Sequence, residues 1–203
     1  MFFPWNKYEE LPTGRRNTLQ IFITNCCNLK CDGCFARNAM ADNSNISLDE
    51  YKKVVEQFIT KGGQQINILG GEPLLHPNLK EMLKINKDHY LKTTIYTNGY
   101  FLNKYKKEDF QGAKLRISLY CKSGNLKSVD NLPKTDIPFE VCYMVSKTSD
   151  LEDLLSTAKE LESNYSCDVF FISSIRELDN PKKEFFTDTK ITMPVLEYKD
   201  LVH

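Results

Sequence analysis

The stretch that decides the fold is Leu19-Gln-Ile-Phe-Ile-Thr24, followed by Cys27-Asn-Leu-Lys-Cys31-Asp-Gly-Cys34. The apolar run is typical of a buried strand, so the thiols lie on the loop that leaves it. A structural zinc site most often takes four ligands as two separated pairs, and this chain has one Cys-x-x-Cys without a matching pair downstream. An electron-carrying ferredoxin cluster also uses four thiolates. Three thiolates on one loop therefore indicate an iron–sulfur cubane with one iron open to another molecule.

A second motif turns this pattern into a family resemblance. The spacing Cys27-x3-Cys31-x2-Cys34 after a first strand resembles the radical S-adenosylmethionine (radical SAM) enzymes. Gly70-Gly71-Glu72-Pro73, directly after the next predicted strand, is similar to the GGE motif of that family. The resemblance covers roughly residues 18 to 175.

The cysteine loop differs from the family pattern at one position and offers a second register. Gly33 stands where the family usually has an aromatic residue, just before the third cysteine, and Phe35, one place after that cysteine, is a candidate substitute. Cys26-x4-Cys31 is an alternative register, but Cys27 is preferred as the ligand because it restores the x3 spacing.

Composition restricts the partners and the compartment. The 203 residues fit one domain, and 27 basic against 27 acidic residues give no global attraction to nucleic acid or to an anionic membrane. The opening Met-Phe-Phe-Pro-Trp is too short for a signal peptide, and no apolar run approaches a membrane span. Seven cysteines without a secretion signal indicate a reducing cytoplasm and a metal role. We therefore expect a cytoplasmic protein with no membrane partner and no evident nucleic-acid partner.

Strand-like runs and helical patterns alternate along the chain. Six such βα units predict an α/β fold with a parallel sheet, and six fall short of a closed eight-stranded barrel. The prediction is an open (β/α)6 partial TIM barrel, which is also the radical SAM core fold that the resemblance implies. Ser47-Leu-Asp-Glu50 is a capping box before the first helix, and Pro77 is expected in the first turn of the second. The expected domains are an N-terminal lead-in (1–17), the radical SAM partial-barrel domain (18–178) and a C-terminal extension (179–203), which ends in a helix-like pattern that suggests truncation.

Polar motifs follow the first three predicted strands. Parallel α/β sheets place ligands at the carboxyl ends of their strands. The cysteines follow strand one, Gly70-Gly71-Glu72 follows strand two and Thr97-Asn98-Gly99 follows strand three, so we expect all three motifs at one edge. In strand four, alternation places Arg116, Ser118 and Tyr120 toward the barrel interior.

The resemblance implies a set of cofactor contacts. The open iron would be chelated by the amino and carboxylate groups of SAM, with the glycine backbone and Glu72 at its ammonium end. Asn98 and Ser118 would hydrogen-bond the ribose or the carboxylate, and residues 172–175 would contact the adenine. The candidate cluster ligands are Cys27, Cys31 and Cys34, and the candidate cofactor-binding residues are Gly70, Gly71, Glu72, Pro73, Asn98 and Ser118.

The function implied by the resemblance is reductive cleavage of SAM on a 4Fe-4S cluster. The product is a 5′-deoxyadenosyl radical that abstracts a hydrogen atom from a peptide or small-metabolite substrate. The expected partner is an external electron donor of the flavodoxin or ferredoxin type. The alternative is a non-catalytic iron–sulfur or zinc binding module that retains the barrel, for which Gly33 is the main support.

Overall fold

One parallel sheet organises the described part of the chain. The computed structural model describes residues 17–31, 34, 43–120, 136–145, 151–165, 167 and 169–173. Six strands pair in the order in which they occur in the sequence, and every neighbouring pair is parallel. This confirms the predicted α/β architecture, an open six-stranded partial barrel. The strands are β1 (Thr18–Phe22), β2 (Gln65–Leu69), β3 (Lys92–Thr97), β4 (Lys114–Tyr120), β5 (Phe139–Val145) and β6 (Val169–Ser173).

Three α-helices are described: α1 (Leu48–Thr60), α2 (Leu79–Asp88) and α3 (Leu151–Tyr165). The predicted capping box of α1 is confirmed, because the Ser47 hydroxyl accepts a hydrogen bond from the Glu50 amide and the Ser47 amide donates to the Glu50 carboxylate. Gly62, at φ 82°, follows the end of α1.

The predicted start of α2 was wrong. Pro77 lies before the N-cap Asn78 and outside the helix, because Pro73–Leu75 forms a separate short 3-10 helix. The Asn78 amide donates to Nδ1 of the buried His76. That bond holds the chain in a turn between the two helical segments.

The core lies between the sheet and the helices. Alternate residues of the strands, such as Ile66, Ile95 and Leu115, are fully buried and pack with helix residues such as Tyr51. Burying such an aliphatic side chain stabilises the fold by about 1.5–3 kcal/mol. The Tyr51 hydroxyl donates to the buried Asn86 carboxamide at 2.9 Å, which ties α1 to α2.

The opposite face of the sheet is called the inner face here, since it lines the interior of the open barrel. The predicted alternation of β4 is confirmed where side chains are described: Leu115, Ile117 and Leu119 are fully buried, whereas Arg116 and Ser118 are half-buried. The Tyr120 side chain, the lead-in before residue 17 and the extension 179–203 lie outside the described residues. None of the described helices is long and apolar enough to cross a membrane.

Candidate active site

The loop after β2 packs directly against the cysteine loop after β1. The Gly71 amide donates to the Thr24 carbonyl, and the Glu72 amide donates to the Cys26 carbonyl, both at 2.8 Å. A Cβ on Gly71 would overlap the Cys26 carbonyl and lie 2.9 Å from the Cβ of Cys27. The absence of a side chain at this position therefore lets the two loops approach. A contact between the glycine backbone and the SAM ammonium stays a prediction.

The carboxylate of Glu72 fastens the end of β2 to the end of β3. The residue is fully buried, and its carboxylate accepts hydrogen bonds from the Leu74 amide at 2.9 Å, the Thr97 hydroxyl at 2.6 Å and the Asn98 amide at 2.7 Å. Burial raises the pKa of Glu72, and these hydrogen bonds oppose that rise. The geometry gives this carboxylate a positioning role, and its predicted contact with SAM stays a prediction.

Replacing Glu72 by glutamine is expected to destabilise the fold. In the wild type, one carboxylate oxygen accepts from the Leu74 amide and the other from the Asn98 amide. In either orientation, the NH2 group of the glutamine would therefore face one of these backbone N–H groups, which would lose its acceptor. A buried donor without an acceptor costs about 1–3 kcal/mol, which lowers the Tm by several degrees in a chain of this size. Thermal unfolding checks this, with the exposed Glu56→Gln as the control of equal charge change. Equal unfolding midpoints for Glu72→Gln and the wild type would contradict the assigned hydrogen bonds.

Asn98 joins the end of β3 to the cysteine loop. Its carboxamide nitrogen donates to the Asn28 carboxamide oxygen at 2.9 Å, and its own oxygen accepts the Tyr100 amide at 3.0 Å. Gly99 has φ 75°, as expected for the Asn-Gly turn. The three motifs predicted to meet at one edge of the sheet are therefore brought together. Asn28 was missed by sequence reasoning because its partner lies 70 residues away.

The three candidate cluster ligands lie at this edge and form no disulfide among the described residues. Cys31 is buried, and Cys27 and Cys34 are half-buried. The Cys27 sulfur accepts a hydrogen bond from the Leu29 amide at 3.5 Å. Burial raises the pKa of the Cys27 thiol, and the charges of Glu72 and Cys34 raise it further.

Cys26 is held differently from its neighbour Cys27. Its thiol donates to the Asn43 carbonyl at 3.1 Å, and its amide donates to the Thr24 hydroxyl at 3.0 Å. A thiol that donates a proton to a carbonyl suits a structural role, whereas a sulfur that accepts an amide proton suits a metal ligand. This difference favours Cys27 over Cys26 as the first ligand.

A comparison with known families agrees with this geometry. The family model described as "Radical SAM superfamily" matches residues 21–141. The chain belongs to the radical SAM superfamily. That span includes the end of β1, the cysteine loop, the glycine loop, β2 to β4 and the start of β5.

Two relatives illustrate the range of activities among similar sequences. The chain is 30% identical over 109 residues to "Antilisterial bacteriocin subtilosin biosynthesis protein AlbA" of Bacillus subtilis, covering 54% of this chain and 24% of that protein. It is 36% identical over 106 residues to a "Probable GTP 3',8-cyclase" of Methanococcus maripaludis, covering 50% of this chain and 36% of that protein. The radical SAM chain thus spans well under half the length of either relative.

A solved structure shares the fold. The Streptococcus suis protein SuiB, in a crystal structure bound to S-adenosylmethionine, matches with a TM-score of 0.61 and 19% identity. The match covers 77% of this chain and 40% of that one. At this identity the likeness supports the radical SAM fold alone.

The donor set of the cysteine loop fits the 4Fe-4S cluster that radical SAM proteins use with SAM. The described residues include no group of three or more His, Cys, Asp or Glu side chains that could hold one metal ion. A cubane does not need such a group, because each thiolate binds a different iron. The Cys27 sulfur is half-buried and accepts an amide hydrogen bond. Solvent exposure and hydrogen bonds to the sulfurs set the reduction potential of such clusters. The closed four-ligand set of structural zinc is not found in the described part of the loop.

The structure describes only some of the other residues predicted to contact the cofactor in this radical SAM chain. Ser118 is half-buried on the inner face, paired in register with Cys142 of β5. Pro73 is buried and begins the 3-10 helix after the GGE turn. Gly33, Phe35 and residues 174–175 lie outside the described residues. The contacts of Ser118 and Pro73 with SAM stay predictions.

Proposed function

We propose that this radical SAM chain carries out the reductive cleavage of SAM and uses the product to abstract a hydrogen atom from a substrate. The chemistry that the bound cluster and SAM supply is one-electron cleavage of the sulfonium to a 5′-deoxyadenosyl radical. The observation that carries the proposal is the edge of the sheet where the cysteine, glycine and β3 loops are hydrogen-bonded to one another. Three cysteine thiols lie there, beside a backbone that leaves no space for side chains at Gly70 and Gly71.

The protein residues in this proposal bind and orient. Cys27, Cys31 and Cys34 hold the cluster, and the carbonyls of Gly70 and Gly71 accept the ammonium of SAM. Glu72 fixes the Asn98 amide, so that the Asn98 side chain stays between the β3 edge and the cysteine loop. Ser118 contributes a hydroxyl from the inner face of the sheet. The inner face then holds the substrate away from water and presents one C–H bond to the radical.

The electron donor and the substrate belong to the proposal as well. The donor is an external protein of the flavodoxin or ferredoxin type. Relatives include a bacteriocin biosynthesis protein and GTP 3',8-cyclases, so the substrate is a peptide or a small metabolite. The match covers only 24% and 36% of these relatives.

An anaerobic SAM-cleavage assay tests the proposal. The chain is reconstituted with iron and sulfide, reduced with dithionite and incubated with SAM, and 5′-deoxyadenosine is quantified by mass spectrometry. The expected result is a brown protein that forms 5′-deoxyadenosine only when dithionite is present. A cluster-loaded protein that binds SAM but forms no 5′-deoxyadenosine, or a colourless zinc-loaded protein, would instead support the non-catalytic binding module.

A further inference from the structure

The inner face of the sheet contains two buried polar groups with unmet hydrogen-bonding capacity. Asn67 of β2 is 8% exposed and Thr94 of β3 is 9% exposed, and the two residues pair in register on neighbouring strands. The Asn67 carboxamide oxygen accepts from Gln65 at 3.0 Å, but its nitrogen donates to no described residue. The Thr94 hydroxyl also has no hydrogen-bond partner in the part of the chain that the structure describes. Buried polar groups in native proteins are nearly always paired, so this pair requires an explanation.

A cluster of charges continues the same face toward β5. Lys114 is in register with Thr94, and Arg116 lies two residues further along β4. Both side chains form ion pairs with the single carboxylate of the buried Glu140, and Arg116 also donates to the Tyr96 hydroxyl at 3.1 Å. Lys114 and Arg116 thus share the carboxylate of Glu140. The Lys114 side chain is 57% exposed, although its ammonium contacts Glu140.

We propose that Asn67 and Thr94, together with Lys114, form a subsite for an anionic group of the substrate, a carboxylate or a phosphate. The Asn67 amide nitrogen and the Thr94 hydroxyl are hydrogen-bond donors. Lys114 supplies positive charge, and it is paired in register with Thr94, which is paired in turn with Asn67. Oxygen acceptors with negative charge complement all three groups. That the bound anion belongs to a substrate rests on the proposed function. The presence of an anion-binding subsite does not.

The position of the subsite also restricts the size of the substrate. Thr94 lies three residues before Thr97, where β3 ends beside Glu72. Three residues of a strand span about 10 Å. The anionic group is therefore bound about 10 Å below the edge at which the cysteine and glycine loops meet.

The test uses calorimetric titration of the reconstituted full chain with two probes, pyrophosphate and glutarate, in buffer of matched ionic strength. Thr94→Val and Asn67→Leu are compared with Thr93→Val, a neighbouring residue whose hydroxyl already bonds Asn86 and the Leu91 carbonyl. The wild type is expected to bind at least one probe, and each inner-face variant to weaken it about tenfold. Pyrophosphate binding alone indicates a phosphorylated substrate, and glutarate binding alone a carboxylate. Binding of neither probe, or equal binding by all variants, would overturn the proposal.

Thermal unfolding gives a second readout that does not depend on the probe. Because the Thr94 hydroxyl is buried without a partner among the described residues, Thr94→Val is expected to leave the Tm unchanged or raise it by about 2–4 °C. Thr93→Val is expected to lower the Tm, since it removes bonds already made. A lower Tm for Thr94→Val would mean that the hydroxyl is a structural group. Neither readout requires SAM cleavage, so a failure of the proposed reaction is distinguishable from a failure of this subsite.

Discussion

Replacement of Cys27 by serine is expected to reduce 5′-deoxyadenosine formation at least about 100-fold. Replacing a residue that only hydrogen-bonds a metal ligand already lowers metal affinity or activity by about 10–100-fold, and this variant loses the ligand itself. The serine hydroxyl is a poor ligand for iron beside two remaining thiols. The Cys27 sulfur also accepts the Leu29 amide proton, and this contact is lost or lengthened in the variant. Iron content, the visible absorption of the cluster and 5′-deoxyadenosine yield measure the effect.

The adjacent residue provides the matched control. Cys26→Ser keeps a hydrogen-bond donor for the Asn43 carbonyl and does not alter the sulfur that accepts from Leu29. This variant is expected to retain iron and SAM cleavage within about a factor of three of the wild type. If Cys26→Ser lost the cluster and Cys27→Ser kept it, the register Cys26-x4-Cys31 would be correct and the preferred ligand set wrong.

Replacement of Gly71 by alanine is expected to unfold or displace the cysteine loop. The added methyl group would overlap the Cys26 carbonyl and crowd the Cys27 Cβ at 2.9 Å. Backbone atoms cannot move aside as a flexible side chain can, so the loops must separate and the hydrogen bond from Glu72 to Cys26 is lost. Overpacking of this kind costs about 1–3 kcal/mol, and the displacement of a cluster ligand adds a loss of iron binding. Urea unfolding and iron content after reconstitution measure the two effects.

Gly112→Ala distinguishes steric displacement from the general cost of replacing a glycine. Gly112 has φ +83°, and an added Cβ would meet no atom within 4 Å. Its alanine variant is expected to lose about 1 kcal/mol from backbone strain and to bind iron normally. Normal iron content in Gly71→Ala would show that the glycine loop does not hold the cysteine loop in place.

The sequence was sufficient to predict the architecture because periodicity and spacing are local signals. The alternation of β4 and the capping box at Ser47 both depend on residues within one element, and both were confirmed. The meeting of three loops was predicted from the general rule for parallel sheets.

The partners of individual side chains could not be predicted in the same way. Glu72 was identified as an anion at the site, but its bonds to Thr97 and Asn98 depend on how two strands end side by side. The Asn67 amide nitrogen, which donates to none of the described residues, gives no sequence signal, because an asparagine in a strand is the same letter whether or not its nitrogen is hydrogen-bonded. The start of α2 was mispredicted for a related reason, since the hydrogen bond from the Asn78 amide to the His76 ring, which holds Pro77 outside the helix, cannot be read from the sequence.

The order of strands in the sheet has a consequence for synthesis of the chain. Each strand pairs with the one before it, so no later strand has to insert between two that have already formed. Every residue of the hydrogen-bonded edge, from Thr24 to Asn98, is translated before β4 begins. The cysteine, glycine and β3 loops can therefore come together on the ribosome while the remaining strands are still being made.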